Sequence, residues 1–206
     1  MHQSASQLIK RSLAQLVFFE KRKQQPKITK RMKRGNQYAE ELVKSQGYVS
    51  ELRGSIQHKN SIIHFTIDSI DNTKGIEIKM VEEKYEDWYL QSSILQATLY
   101  YSLLEKVKFL ETPKFRINEG YEYQFYDLEE NPIHEFELQF GELIFNIYPS
   151  EEVLSHYLNK SELLFILKDE SWEDAIYKAK KYDHKYKHKE WSLLKDSIKL
   201  NQNILV

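Results

Sequence analysis

The chain has 206 residues, 41% apolar and 30% charged, with a formal net charge of −1, enough for one globular domain, or one with a small appendage. It contains no cysteine, which excludes a disulfide framework, a thiolate zinc site and a cysteine-held iron–sulfur cluster, and fits a reducing compartment. No run of about 18 apolar residues occurs, so no membrane span is predicted; the patch Leu16, Val17, Phe18, Phe19 is too short for a secretory signal, and a cytoplasmic protein is expected.

In chain order, residues 5–23 space Leu8, Leu13, Ala14 and Leu16 as one helix, closed by Pro26. A second helix is predicted from near Gly35 through Tyr38, Leu42 and Val43 to about Gln46, with Gly47 as its stop. From Tyr48 the period falls to two. Ile63, Phe65 and Ile67 point one way along 61–68, and His64, Thr66 and Asp68 the other. Asp71-Asn72-Thr73-Lys74-Gly75 reads as a turn; beyond it Ile76, Ile78 and Met80 oppose Glu77, Lys79 and Val81. The expectation is a hairpin with an apolar back and a polar front.

A helix is predicted over about 86–106, with Leu95, Leu99 and Leu103 as its stripe. Strands follow at 121–127, 134–140 and 142–148. The remainder reads as helix, with Trp172, Ala175, Ile176 and Ala179 on one face. The order predicts a mixed α/β (α+β) fold with a central mixed sheet flanked by helices. It divides into a basic N-terminal helix and linker (1–34), a core (35–150) and a helical C-terminal extension packed on that core (151–206).

Charge is unevenly spread. Residues 21–34 carry no acid and 178–189 are strongly basic, while acids gather between 111 and 175. Such segments suit a local grip on a phosphate backbone, or are simply solvated faces.

The hairpin front carries chemistry. Mg²⁺ takes oxygen ligands, usually one or two carboxylates, and leaves room for water and a phosphate oxygen. Asp68 late in one strand and Glu77 early in the next can approach one ion. Lys79 shares the face of Glu77, and an ammonium there can orient or help deprotonate water and offset transition-state charge. Taken alone, Glu-x-Lys is weak, because exposed strands commonly alternate Glu and Lys.

Asp68, then Glu77-Ile78-Lys79, then Gln96-Ala97-Thr98-Leu99-Tyr100 resembles the PD-(D/E)XK nuclease superfamily. The Gln-x-x-x-Tyr element resembles its RecB-like, lambda-exonuclease-like branch. Arg34-Gly35-Asn36-Gln37-Tyr38 with Glu40 and Glu41 is similar to the first helix of lambda-type exonucleases. The likeness covers about residues 34–104. It implies a restriction-endonuclease-like core and a nuclease that hydrolyses phosphodiesters, of DNA before RNA, with Mg²⁺ or Mn²⁺; the lack of cysteine leaves no iron–sulfur cluster. It further implies Asp68 and Glu77 as catalytic metal ligands, the Ile78 carbonyl as a third ligand and Glu40 or Glu41 as an upstream one. Lys79 would be the catalytic lysine, and Gln96 and Tyr100 would position the substrate strand or the hairpin. Recombination, repair and phage or mobile-element defence are the implied settings. Three positions depart from the pattern: Ile67 stands for Pro, Phe65 for Gly, and Ala39 at the helix carboxylate.

Other side chains have plainer accounts. His64 could touch substrate or metal, but a strand histidine is commonly a half-buried polar residue. Glu51 reads as a solvated carboxylate. His184 and His188 read as a solvated or phosphate-contacting face, and Tyr121, Tyr123, Phe125 and Tyr126 as strand packing. A catalytically inactive nucleic-acid-binding subunit with the same fold is the alternative function.

Overall fold

A computed structural model describes residues 1–24, 30–46, 49–81, 85, 87–113 and 123–202. Pro26, Gly47 and Tyr121, given roles above, lie outside them. The elements are β1 (His2–Ser4), α1 (Ala5–Lys10), α2 (Leu13–Arg22), α3 (Lys30–Gln46), β2 (Val49–His58), β3 (Ser61–Asp71), β4 (Lys74–Lys79) and α4 (Asp87–Leu104). They continue with β5 (Phe109–Pro113), β6 (Tyr123–Asp127), β7 (Glu135–Phe140), β8 (Leu143–Ile147), α5 (Glu151–Leu167) and α6 (Trp172–Gln202). The fold is mixed α/β, a mixed sheet flanked by helices. Among the described residues, no helix is long and apolar enough to cross a membrane.

The single N-terminal helix expected over 5–23 is two helices. Arg11 is extended, and Ser12 opens α2 with a reciprocal cap: Ser12 Oγ accepts from Gln15 N at 3.2 Å, and Gln15 Oε1 accepts from Ser12 N at 3.3 Å. The second helix begins at Lys30 rather than near Gly35. Strand β5 was not predicted: of its five residues Leu110 is buried, Phe109 is 49% exposed and Pro113 closes it, so no alternation marks it.

The strands lie in the order β6-β5-β2-β3-β4-β7-β8. Strand β3 is antiparallel to β2 along its length, and its other edge is shared. Strand β1 runs parallel to residues 62–64, and β4 is antiparallel to residues 69–71. The β3–β4 ladder ends at Ser69↔Ile76, beyond which β4 continues only in parallel pairing with β7. Asp68 and Glu77 therefore stand where the two strands part. The turn between them places Asn72 at φ 53°, which asparagine tolerates better than most residues.

The alternation of β3 slips at this point. Ile63, Phe65, Ile67 and then Ile70 join one core cluster, a step of three where a flat strand allows two. Next to Asp68 on β2, Glu51 takes a left-handed φ of 50°, and the paired register passes from Ser50↔Ser69 to Leu52↔Ile67 without it. The common apolar back expected of the hairpin is consequently absent. Ile63, Phe65 and Ile67 face the large core with α4 and α5, whereas Ile76 and Ile78 pack with Val43, Tyr38, Ala39 and Leu42 of α3. Phe65 covers Gly54, where an added Cβ would lie 2.2 Å from its ring.

Helix α4 runs through the middle of the molecule. Everything from Ser93 to Leu104 is buried, not only the leucine stripe. Three of its hydroxyls donate within the helix, Ser93 to Tyr89 O, Thr98 to Ile94 O and Ser102 to Thr98 O, at 2.7–2.9 Å.

Candidate active site

Asp68, Glu77, Lys79, Gln96 and Tyr100, far apart in the chain, form one connected group. Asp68 Oδ2 accepts from Ile78 N at 2.7 Å, bridging the gap left where the ladder ends. Glu77 is 2% exposed; its Oε1 accepts from the Lys79 ammonium and from Gln96 Nε2, the latter at 2.8 Å. Gln96 Nε2 also reaches Tyr100 Oη at 3.1 Å, and the Tyr100 ring lies 6.0 Å from that of Phe65. The four-residue step that puts Gln96 and Tyr100 on one face of α4 aims both at the hairpin. Gln96 reaches the hairpin at Glu77, and Tyr100 reaches Gln96.

This group lies at a cavity of about 1000 Å³ lined by Asp68, Ile78, Lys79, Thr66 and Glu51 from the sheet, and by Glu40 and Ala39 from α3. Glu77, Gln96, Tyr100 and Glu41 do not line it. The polar front expected of β4 is thus partly interior, with Glu77 behind Lys79. Between the two upstream candidates, the exposed Glu40 faces the cavity. His64 belongs elsewhere: its Nε2 lies 2.7 Å from His2 Nδ1 and the rings stack.

The electrostatics follow from two carboxylates kept from water. Burial, then the charge of Asp68, pushes Glu77 up to about 7, against the pull of Lys79. Asp68 is raised by burial, opposed by Lys79 and the Ile78 N–H, and raised further by Glu51. Burial works against the Lys79 charge, but Glu77 and Asp68 overcome it and its pKa rises. The Tyr100 phenol is raised by burial and by Glu77, so it stays neutral, and its oxygen accepts from Gln96 Nε2. Lys10, which lines the same cavity, is lowered by desolvation and by Lys79.

Asp68 and Glu77 are oxygen donors of the kind a hard divalent cation takes. One Glu77 oxygen, Oε2, is buried with no hydrogen-bond partner in this structure, as is Gln96 Oε1; an unpartnered buried acceptor is costly. Among the described residues, no group of three or more His, Asp and Glu side chains converges. Two carboxylates are the number with which Mg²⁺ commonly binds while retaining water.

Glu51, expected as a solvated carboxylate, is exposed and lies 3.4 Å from the Arg53 guanidinium; it also lines the cavity, and its charge acts on Asp68. Lys10, Trp88, Tyr89, Lys187, Glu190 and Trp191 line the cavity too, and no motif marked them. His188, on the face expected to be solvated or to contact phosphate, lines it as well. No protein-family model, no curated protein and no solved structure matches the chain.

Proposed function

We propose that this protein is a divalent-metal-dependent nuclease of the PD-(D/E)XK type that hydrolyses phosphodiester bonds, with DNA as its expected substrate. The observation that carries the reading is the connected Asp68–Glu77–Lys79–Gln96 group, with Asp68 and Lys79 half-buried at a 1000 Å³ cavity and a buried, unpartnered Glu77 oxygen behind them. A mixed sheet in which β4 runs parallel to β7, with α4 packed on both, supports a restriction-endonuclease-like core.

Asp68 and Glu77 are the residues that would hold Mg²⁺ or Mn²⁺, with Ile78 and Glu40 beside them. Such an ion, when bound, polarises a phosphoryl oxygen and makes bound water a better nucleophile. The chain's own groups prepare the rest. Gln96 fixes the Glu77 carboxylate through a 2.8 Å hydrogen bond, and Tyr100 holds Gln96. Lys79, whose pKa Glu77 and Asp68 raise in the metal-free chain, would set positive charge against a developing phosphorane.

The test is turnover of single- and double-stranded DNA and RNA in Mg²⁺ or Mn²⁺, beside Lys79→Ala and Asp68→Ala. Cleavage by wild type and a loss of at least roughly 100-fold in both variants is the expected result, the scale of deleting one preorganised electrostatic group. Wild-type inertness with retained DNA binding would replace this reading with a binding-only subunit. Equal cleavage by Lys79→Ala would move the site elsewhere.

A further inference from the structure

The cavity at Asp68 and Lys79 is also lined by α6, outside the stretch 34–104 that carries the family resemblance. Lys187 and Trp191, four apart and so on one helix face, line it with His188; Trp88 of α4 and Lys10 of α1 line it as well. Trp88 is 57% exposed and Trp191 49% exposed, two partly open indoles at one cavity.

This part of α6 is fastened on both sides. Asp183 accepts from Leu13 N at 2.7 Å and Ala14 N at 2.9 Å, capping α2. Glu190 accepts from Lys160 Nζ at 2.9 Å and lies 3.2 Å from His156 Nε2, both partners buried on α5. The lining acids Asp68, Glu51 and Glu40 come from the sheet and α3, with Lys79 among them, while Lys10 and Lys187 face them from α1 and α6. The Glu190 carboxylate is already matched by Lys160 and His156. A chain of phosphates that brings a divalent cation to the carboxylates satisfies both sets. Indoles stack on bases that are not already paired and stacked in a duplex, so an unpaired strand is the form of nucleic acid that uses both Trp88 and Trp191.

We infer that Trp88 and Trp191 stack bases, and Lys10 and Lys187 hold phosphates, of a single-stranded polynucleotide that enters this cavity toward Asp68 and Glu77. The inference rests on the nuclease reading and adds the form of its substrate. Aromatic platforms with a cationic track are how strands are bound without sequence preference.

Fluorescence anisotropy in Ca²⁺ with labelled oligothymidylate, oligouridylate and a blunt duplex tests it on the full chain. The expected result is single-strand binding at least roughly tenfold tighter than duplex binding, weakened about tenfold by Trp191→Ala and largely restored in Trp191→Phe. Lys187→Gln should reduce the slope of log affinity against log salt by about 0.7. Duplex binding as tight as single-strand binding, or wild-type affinity in both Trp88→Ala and Trp191→Ala, overturns the inference. The two readings fail separately. Single-strand binding lost in the tryptophan variants but without wild-type cleavage in Mn²⁺ removes the nuclease and leaves this site, whereas cleavage with unaltered binding in both variants does the reverse.

Discussion

Glu77 sits 2% exposed between Lys79 and Gln96, and burial together with the Asp68 charge lifts it from an ordinary 4.5 to about 7. A carboxylate raised on folding means that the native chain binds the extra proton between those two values, so stability is gained as pH falls through 7 and lost as it rises. The rise is worth about 3 kcal/mol. Urea unfolding of the metal-free protein should therefore show lower stability at pH 8 than at pH 5 by that order, and saturating Mg²⁺ should flatten the difference. A profile independent of pH without metal would mean that the Glu77 carboxylate is hydrated. In the same terms, calorimetric Mg²⁺ titration near pH 6.5 should release a proton that is no longer released at pH 8.5.

At the scale of elements, the site depends on a strand that slips and on a helix that is pinned. The positive φ of Glu51 and the end of the β3–β4 ladder at Ser69↔Ile76 separate Asp68 from regular pairing. The fork leaves the Ile78 N–H for its carboxylate. Helix α6 reaches the cavity because Asp183 and Glu190 tie it to α2 and α5. Glu190→Gln should cost about 2–3 kcal/mol, less than the 3–5 of a fully buried pair, because Glu190 is 34% exposed while Lys160 is 1% exposed. Asp183→Ala should cost about 1 kcal/mol as a lost helix cap. Both changes should speed amide exchange along 183–191 and spare the β3–β4 amides; unchanged exchange there would mean that other contacts hold the helix. The hairpin and α4 were legible in the sequence because alternation and helical spacing are local. Apolar spacing that continues across Ser12 hides the helix break there, and a five-residue strand ending on Pro113 is too short for its pattern to mark β5.

Across the whole molecule, one cluster of buried residues extends from Ala5 to Leu193, and α3 closes a smaller one on the sheet with Ile76 and Ile78. Residues assigned by sequence to an N-terminal appendage, a core and a C-terminal extension share that large cluster. Cooperative packing of this kind predicts a single transition, with tryptophan fluorescence from positions 88, 172 and 191 and far-ultraviolet dichroism sharing one midpoint. Two separated midpoints would divide the chain near 34 or 150 instead.

By itself the sequence determined the strand and helix periods, the placement of Asp68, Glu77 and Lys79 on a hairpin, and the step that sets Gln96 and Tyr100 on one face of α4. These follow from neighbours a few residues apart, where backbone geometry alone decides which side chains share a face. Only the tertiary structure decided that Glu77 is buried rather than displayed, that Ile76 and Ile78 turn away from the large core, and that Gln96 grips the carboxylate. It also decided that Glu40, and not Glu41, faces the cavity, and brought Lys10, Glu51, Lys187 and Trp191 to it. Burial and approach over such separations depend on where β4 leaves β3 and where α6 is anchored, and no local period records either.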